Sequence, residues 1–492
     1  MKREFLTIIL IGFFIFISHL GFSQTSISGV INFYSEVDSI YTTKDTIEVT
    51  NPSLFNADDT VMMYQAKGAV VNTDTSSQEY NFGNVPSKND FNNAGKYEII
   101  LVQKVEGNTV IFKAILNNDY DTEDLIQLIR VPSYKNASID GELTCDPWDG
   151  SKGGILVLMV GDTLYLNDKI DVTGKGFEGA PPFESNGNCA STDPDIYDFY
   201  YFHENTPSIS AGFKGEGVAA YNAMYAKGLG RWANGGGGGN GRFSGGGGGA
   251  NFSQGGDGGK EDTITCITPN YSGIYWQGVG GLDGFGLGNV GVPTINDSTI
   301  FMGGGGGSGT YTSGFTASTG GNGGGIVIII AKALKSNGDS VIARGARVVD
   351  IATASAAGGG GGGTVVFDVE SVVGSSEVHV TGGDGGRVQH DGDAGPGGGG
   401  GGGVVFWNTT QPGNVGYDIF GGKAGYVQDL YPADVRNEAS PGVAGSQKIN
   451  VDVPLTGFLF NWISDDQEIC MNTAPRIISG TDPRGGYGNF QI

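Results

Sequence analysis

The sequence is poor in basic residues, proline, histidine and cysteine, and each shortage excludes a class of protein. Only 28 Lys and Arg stand against 52 Asp and Glu, a net charge of −24, so a nucleic-acid backbone would be repelled. The 17 prolines and the lack of a strict Gly-X-Y period exclude collagen. Of the four histidines, one lies in the N-terminal apolar region, and His203, His379 and His390 lack the nearby Ser or Cys that nucleophilic catalysis needs. No Cys/His spacing indicates zinc. No catalytic residue is therefore predicted.

Long apolar runs are missing beyond the N-terminus. There, a basic start precedes an apolar run at residues 5–17, and Gly21 and Ser23 supply the small residues of a cleavage site before Gln24. This pattern predicts a secretory signal peptide over residues 1–23. No later segment approaches the roughly 20 apolar residues of a spanning helix. We therefore expect a secreted mature chain without a transmembrane segment.

The four cysteines fit an oxidising compartment without making disulfides the basis of the fold. Cys189 and Cys266 lie in a segment predicted to be a long irregular insertion, where a crosslink would most restrict the unfolded chain. They are the predicted disulfide pair. Cys145 has no evident partner and is predicted to be a buried thiol, whereas the partner of Cys470 is expected beyond residue 492.

Glycine is abundant, with 90 residues, while an apolar content of 38% is enough to form cores. Four glycine pairs lead directly into apolar, strand-like runs, and each time a second short strand follows and ends on another glycine. The units are ILVLMV to Gly174, IVIII to Gly345, TVVF to Gly382 and VVFW to Gly421. The closing glycine follows the first strand residue by 19, 19, 18 and 17 positions, which indicates a repeat.

The second strands share an apolar residue four positions before the closing glycine, followed by a residue expected to face outward. The apolar residues are Ile170, Val341, Val378 and Tyr417, and the outward ones are Asp171, Ile342, His379 and Asp418. Such a unit buries its apolar face only by stacking, which predicts a glycine-rich parallel β-helix or solenoid. Glycine is expected at its corners because it reaches φ > 0 and lets backbones approach closely. The longer glycine runs are predicted to pack as polyproline-II-like helices bonded through their backbones, with flexible spacers as the alternative.

Composition divides the chain into regions and makes it a mainly β protein. Residues 24–132 are rich in strand patterns and predict an antiparallel β domain, with a hairpin at 97–116. The solenoid is predicted over 133–450, interrupted by an insertion at about 180–319. That insertion holds the aromatic-acidic stretch 193–205, so a recognition loop is expected there, with a capped flank of the solenoid as the alternative.

Calcium is the only cofactor that the residues suggest. Asp384, Asp391 and Asp393 lie in GGDGGRVQHDGDAG and could supply oxygen ligands from a tight loop. The similar loop GGDGGKED has Lys260 where the calcium-binding nonapeptide requires aspartate. Solvated turns are the alternative interpretation of both loops.

Two passages resemble parts of large exported bacterial proteins. Residues 131–177 resemble the start of the glycine-rich β-helix region of such surface proteins. Residues 463–492 resemble the opening of a repeat found in Bacteroidetes-type adhesins, including SprB-like gliding-motility adhesins. The matching positions are Cys470, Pro475, Ile478, Gly480, Thr481, Pro483, Gly485, Gly486 and Gly488. The resemblance implies an N-terminal fragment of an adhesin, with a linker and a truncated Ig-like repeat at 451–492.

Two functional hypotheses follow from these observations. The first is a cell-surface adhesin that attaches to surfaces or polysaccharides through many weak contacts. The resemblance implies a role in gliding motility. It also implies the type 9 secretion and outer-membrane anchoring machinery as partners. The second is a β-helix carbohydrate-active enzyme, a polysaccharide lyase or glycoside hydrolase. A cleft of convergent carboxylates with perturbed pKa values would distinguish the enzyme.

Overall fold

The structure is a computed structural model, and it is mainly β, as the sequence predicts. Its described part has single 3-10 turns at Pro52–Leu54, Lys88–Phe91, Ala223–Tyr225 and Leu287–Val290. In the part of the chain that the structure describes, no helix is long and apolar enough to cross a membrane. The structure describes residues 24–75, 81–184, 200–205, 211–241, 243–261, 266–267, 275–276, 278–290, 299–389, 394–428 and 435–457.

Two sets of strands make up the β structure, a closed barrel and a parallel sheet, and two ribbons add a pair of short strands each. The barrel strands are β2 (Tyr34–Ile40), β3 (Thr46–Val49), β4 (Thr60–Gln65), β5 (Tyr97–Glu106), β6 (Thr109–Phe112) and β7 (Ile126–Val131). The sheet strands are β1 (Thr25–Val30), β8 (Ser133–Tyr134), β9 (Ala137–Thr144), β10 (Ile155–Leu166), β11 (Ile170–Asp171), β16 (Ile326–Ile342), β17 (Thr364–His379), β18 (Val404–Trp407), β19 (Val415–Asp418) and β20 (Ser446–Lys448). The ribbons are β12 (Phe183–Glu184) with β15 (Thr310–Tyr311), and β13 (Cys266–Ile267) with β14 (Tyr275–Trp276).

The barrel closes in the order β2-β3-β6-β5-β4-β7, and every neighbouring pair is antiparallel. The predicted hairpin is confirmed, because Glu106 pairs with Thr109 across a turn in which Gly107 has a φ of 60°. In β4, Val61 and Met63 belong to one hydrophobic cluster, whereas Met62 and Tyr64 belong to the cluster that contains the sheet. The strand is thus buried on both faces, which explains its continuous apolar sequence.

The long strands of the sheet lie side by side with the repeat units in register. Ile155 pairs with Ile326, which pairs with Thr364 and then Val404, and Val404 pairs with Ser446 of β20. The starts of β10, β16, β17 and β18 are buried on both faces, which explains their largely apolar sequences.

A second parallel ladder joins the ends of the repeat units. It runs through the four apolar positions that the sequence aligns, Ile170, Val341, Val378 and Tyr417. The first three are buried, and the residues that follow them in sequence are only partly buried. This ladder therefore has one wet face and one core face.

The glycine run at residues 245–249 shows how the glycine-rich segments are bonded into a bundle. Its amides point in three directions in turn, so every third residue donates to the same neighbouring segment, at N···O distances of 2.8 to 2.9 Å. Its carbonyl oxygens accept hydrogen bonds from three further segments in the same rotation. The surrounding segments are 234–237, 256–259, 281–284, 304–307, 356–359 and 398–401. Three residues per turn is the repeat of a polyproline-II helix, and the lattice pairs the backbone groups without water.

The interior of this bundle has no room for side chains. A Cβ atom on Gly247 would lie 2.1 Å from the carbonyl oxygen of Leu282, and one on Gly248 would lie 2.0 Å from that of Gly399. Both distances are far below a carbon–oxygen contact. Glycine is needed here for close approach of the backbones.

The closing glycines of the repeat differ in part from the corner role that the sequence predicts. Gly174 does adopt the left-handed region, with a φ of 64°. Gly345, Gly382 and Gly421 are not in that region, and a Cβ there would meet a neighbouring carbonyl oxygen at 2.0, 1.9 and 2.1 Å. Three of the four units therefore end on glycine because the chain enters the bundle at that point.

The described glycine runs of the segment predicted as an insertion, 180–319, pack together with those of the repeat units. Its glycine runs lie in the bundle, where the amide of Gly247 donates to the carbonyl of Gly237 and the amide of Gly307 donates to that of Gly247. Glycine runs carry no side-chain pattern, so their partners could not be read from the sequence.

Two region boundaries also differ from the sequence-based division. Strand β1, placed with the N-terminal domain, pairs in parallel with β9 of the sheet. Residues 451–457, placed in a linker, run along the barrel, where the amide of Ile99 donates to Pro454 O and the amide of Thr456 donates to Ile99 O. Both chain segments tie the barrel to the sheet.

Candidate cleft between the barrel and the glycine bundle

A cleft of about 550 Å³ opens between the barrel and the glycine bundle. The barrel contributes the residues after β4 and before β7, and the bundle contributes the opposite wall. The lining residues are Lys67, Glu123, Asp124, Leu125, Gly150, Glu178, Gly179, Ala180, Pro181, Phe213, Lys214, Gly215, Glu216, Gly217, Ala219, Ala220, Tyr221, Asn222, Tyr225, Ala226 and Trp232. This volume is in the range of sites for small molecules or short segments of a polymer.

One wall of the cleft is aromatic. Tyr225 stacks on Trp232, with ring centroids 5.3 Å apart and an interplanar angle of 23°. Trp232 Nε1 donates to the carbonyl oxygen of Ala220 at 2.9 Å, which fixes the indole. Tyr221 is 66% exposed, and its hydroxyl donates to the Glu204 carboxylate. The rings therefore offer apolar faces to the solvent-filled cleft.

A capped turn positions these tyrosines. The side chain of Asn222 accepts a hydrogen bond from Met224 N at 3.0 Å and so caps the 3-10 turn Ala223–Tyr225. Phe82 of the chain between β4 and β5 packs against this wall, with its ring centroid 5.9 Å from that of Tyr225. The aromatic wall is thus supported from behind.

The carboxylate of Glu216 holds three parts of the molecule together at the cleft. It accepts hydrogen bonds from Lys67 Nζ, from Trp148 Nε1 at 2.9 Å and from Glu178 N at 2.9 Å. The donors come from the barrel, from the loop after β9 and from the bundle. Glu216 therefore holds these three segments in place, and its carboxylate forms an ion pair with Lys67.

Two other carboxylates of the cleft have raised pKa values. Burial raises the pKa of Glu178, and the negative charges of Glu216 and Asp149 raise it further. Burial likewise raises the pKa of Asp124, together with the charges of Asp121 and Glu123. Burial is the larger cause of both shifts, and the neighbouring negative charges add to it.

Lys214 lies in the bundle wall of the cleft and is only 9% exposed. Its Nζ atom is 4.5 Å from the ring centroid of Phe82 and 5.7 Å from that of Trp232. No hydrogen-bond acceptor in the described part of the chain meets this atom. Burial lowers the pKa of Lys214 well below its usual value. The cleft wall therefore contains an amine with unused hydrogen-bonding capacity.

The sequence-predicted site residues do not assemble in this cleft. Asp384 is half-buried and accepts a hydrogen bond from Lys423 N at 2.8 Å, while Asp391 and Asp393 lie outside the described residues. Across the described ranges, no three His, Cys, Asp or Glu side chains are grouped as a metal site would require. The calcium site stays a prediction.

The described residues include only some of those in the predicted disulfide and the predicted signal-peptide cleavage site. Cys189 and Ser23 lie outside the described residues, Cys266 is described only as part of β13, and Gln24 is the first described residue. The proposed disulfide and cleavage site therefore stay predictions. Cys145 is a buried free thiol, and burial raises its pKa to about 12. It is thus an unreactive core residue.

Sequence reasoning missed the barrel side of the cleft. Lys67 and Asp124 carry no motif, and they meet the bundle only because the barrel docks beside it. The bundle side, including Tyr221 and Trp232, does fall within the segment where the sequence predicts recognition. The signal for that prediction was the aromatic-acidic stretch 193–205, which precedes these residues in the sequence.

Comparison with known proteins gives little to set beside this geometry. No family model matches the chain, and no curated protein matches it. The Gp54 tailspike of Acinetobacter baumannii bacteriophage AP22, solved in complex with A. baumannii capsular saccharide, is 11% identical with a TM-score of 0.17, and the match covers 87% of this chain and 62% of that one. The tailspike gp49 from Pseudomonas phage LKA1 is 12% identical with a TM-score of 0.16, covering 89% and 67%. Likenesses this slight assign neither a fold nor a ligand.

Proposed function

We propose that the chain is the carbohydrate-binding part of an exported cell-surface adhesin and that the cleft is its binding site. The observation that carries this proposal is that three aromatic residues, Tyr221, Tyr225 and Trp232, line the same cleft as four carboxylates. Sugar rings have apolar C–H faces that pack on aromatic rings, and hydroxyls that donate to carboxylates. The glycine bundle holds this wall in place before binding, which reduces the ordering cost of the complex.

Attachment by such a protein depends on many modest contacts. A single open cleft gives limited affinity, but repeated display on a surface raises the effective concentration of each site. Export by a signal peptide and type 9 machinery is the other part of the proposal. Deleting residues 1–23 should abolish digestion of the protein by protease added to intact cells, and unchanged digestion would refute export by this signal.

We expect Tyr221→Ala to weaken polysaccharide binding about tenfold, because an exposed ring in a binding cleft contributes about 1.4 kcal/mol. The measurement is retention of the purified chain, from Gln24 onward, on a panel of immobilised polysaccharides. The fold should survive, since the side chain is largely exposed. The matched control is Tyr41→Ala on the barrel, an exposed tyrosine that also donates to a glutamate, Glu48. Equal effects of the two variants would count against the cleft.

A second candidate function is cleavage of the bound polysaccharide. Glu178 and Asp124 line one cleft with raised pKa values, as a general acid requires. The same panel would then yield new reducing ends or unsaturated products. Products that disappear in Glu178→Gln with retention unchanged would establish the enzyme and displace the adhesin, whereas retention without products supports the adhesin.

A further inference from the structure

The charge of the cleft narrows the class of glycan that fits it. Four carboxylates line it, those of Glu123, Asp124, Glu178 and Glu216. The cations that line it among the described residues are Lys67 and Lys214. Lys67 is paired with Glu216. The negative charges of Glu123, Asp124 and Glu178 therefore remain, with Lys214 as the other lysine of the cleft.

Lys214 does not restore the balance, because its amine is buried against the rings of Phe82 and Trp232 and burial favours its uncharged form. The Nζ atom is without an acceptor among the described residues, a state that costs free energy unless a partner is supplied. A hydroxyl oxygen of a bound sugar is a neutral acceptor that meets this need once the enclosed amine turns from the Phe82 ring toward the cleft. The uncharged form of the lysine still donates such a hydrogen bond.

We propose that the cleft binds a glycan whose sugar units carry free, protonated amino groups, with the ammonium groups facing Asp124 and Glu178 and a ring hydroxyl meeting Lys214. This inference rests on the proposed function and names its ligand class. A uronic-acid glycan would place like charges together, which is unfavourable in a partly desolvated site. An N-acetylated glycan lacks the cation and would leave the carboxylates unpaired.

The test is calorimetric titration of the purified chain with glucosamine oligomers, N-acetylglucosamine oligomers and oligouronates of equal length. We expect the glucosamine oligomers to bind at least about tenfold more tightly than the acetylated ones, with the advantage shrinking at high salt. In the double variant Asp124→Asn, Glu178→Gln the advantage should disappear. The control is Asp58→Asn, Glu106→Gln, which removes two exposed barrel carboxylates and should leave it intact.

The variant Lys214→Met tests the role of this amine through two quantities, the melting temperature and the affinity for the glucosamine oligomers. A purely structural lysine would not change them in opposite directions. The melting temperature should rise, because an unpaired buried amine is removed, while affinity for the glucosamine oligomers should fall about fivefold through the lost hydrogen bond. Lys227→Met is the control, since Lys227 is also buried, with Nζ 4.0 Å from the Phe183 ring centroid, but does not line the cleft. Its affinity should be unchanged.

The possible outcomes separate the ligand class from the function. Equal or tighter binding of the acetylated oligomers or the oligouronates would overturn the amino-sugar assignment and leave the carbohydrate-binding function standing. An unchanged affinity in Lys214→Met would overturn the role of that amine. If none of the oligomers binds and no polysaccharide of the panel retains the chain, the function itself fails.

Discussion

Replacing Gly247 by alanine is expected to lower the free energy of unfolding by about 3 kcal/mol or more. The added methyl carbon would lie 2.1 Å from Leu282 O, and that carbonyl belongs to a backbone that neighbours hold on other sides. Accommodating it requires segments of the bundle to separate, which lengthens several hydrogen bonds at once. The measurement is urea and thermal unfolding of the purified variant and parent chains.

Gly413→Ala is the matched control for this substitution. No atom lies within 4 Å of the position of its added Cβ, and its backbone is outside the left-handed region. The same chemical change should therefore alter stability by no more than about 0.5 kcal/mol. If Gly247→Ala is as mild as Gly413→Ala, the segments are not packed through bare backbones.

Replacing Arg231 by methionine is expected to cost about 3–5 kcal/mol at about pH 8, because it leaves a buried carboxylate without its partner. Arg231 Nη2 lies 2.8 Å from Asp283 Oδ1, and the two side chains are only 7% and 5% exposed. Arg231 Nη1 also donates to Asn84 Oδ1 at 3.1 Å, which joins the bundle to the chain between β4 and β5. Urea unfolding at several pH values measures the loss.

The cost of this substitution should depend on pH in a defined direction. Burial raises the pKa of Asp283 to about 7. The positive charge of Arg231 lowers this pKa, and the negative charge of Asp257 raises it. Since the folded-state pKa lies above the unfolded value of about 4, the carboxyl's favourable contribution is complete below about pH 4 and is lost as the pH rises through about 7. At about pH 5 the folded state holds a neutral acid that needs no countercharge, so the loss should be smaller than at about pH 8.

A second substitution checks this explanation. In the double variant Arg231→Met, Asp283→Asn the side chain at position 283 no longer ionises, so stability at about pH 8 should recover in part and its pH dependence should flatten. A loss that is the same at both pH values, or a double variant no more stable than the single one, would contradict a buried charge as the cause.

The repeat could be predicted because its signals are local. An apolar run after a glycine pair, and an apolar residue four positions before a closing glycine, recur at nearly constant spacing, so Ile170, Val341 and Val378 could be aligned before their pairing was seen. The hairpin at Gly107 was likewise local. These patterns involve residues close together in the sequence, so they can be recognised without the structure.

What could not be predicted depends on contacts between distant segments. A glycine run has no side chains, so nothing in residues 245–249 indicates that 234–237 or 398–401 will bond to it. Strand β1 could join either the barrel or the sheet on its own pattern. The cleft required the barrel to dock beside the bundle, which brings Lys67 to Glu216 across 149 positions of sequence.

The hydrogen bonding of the bundle also sets how the chain must fold. No glycine segment can form its bonds alone, since the partners of residues 245–249 come from stretches as far apart as 234–237 and 398–401. Ordering therefore has to wait for long loops to close, which makes folding slow. Once assembled, the segments resist opening one at a time, and their amides should exchange with solvent only at the rate of global unfolding. A high barrier to unfolding gives such a protein a long lifetime in the folded state.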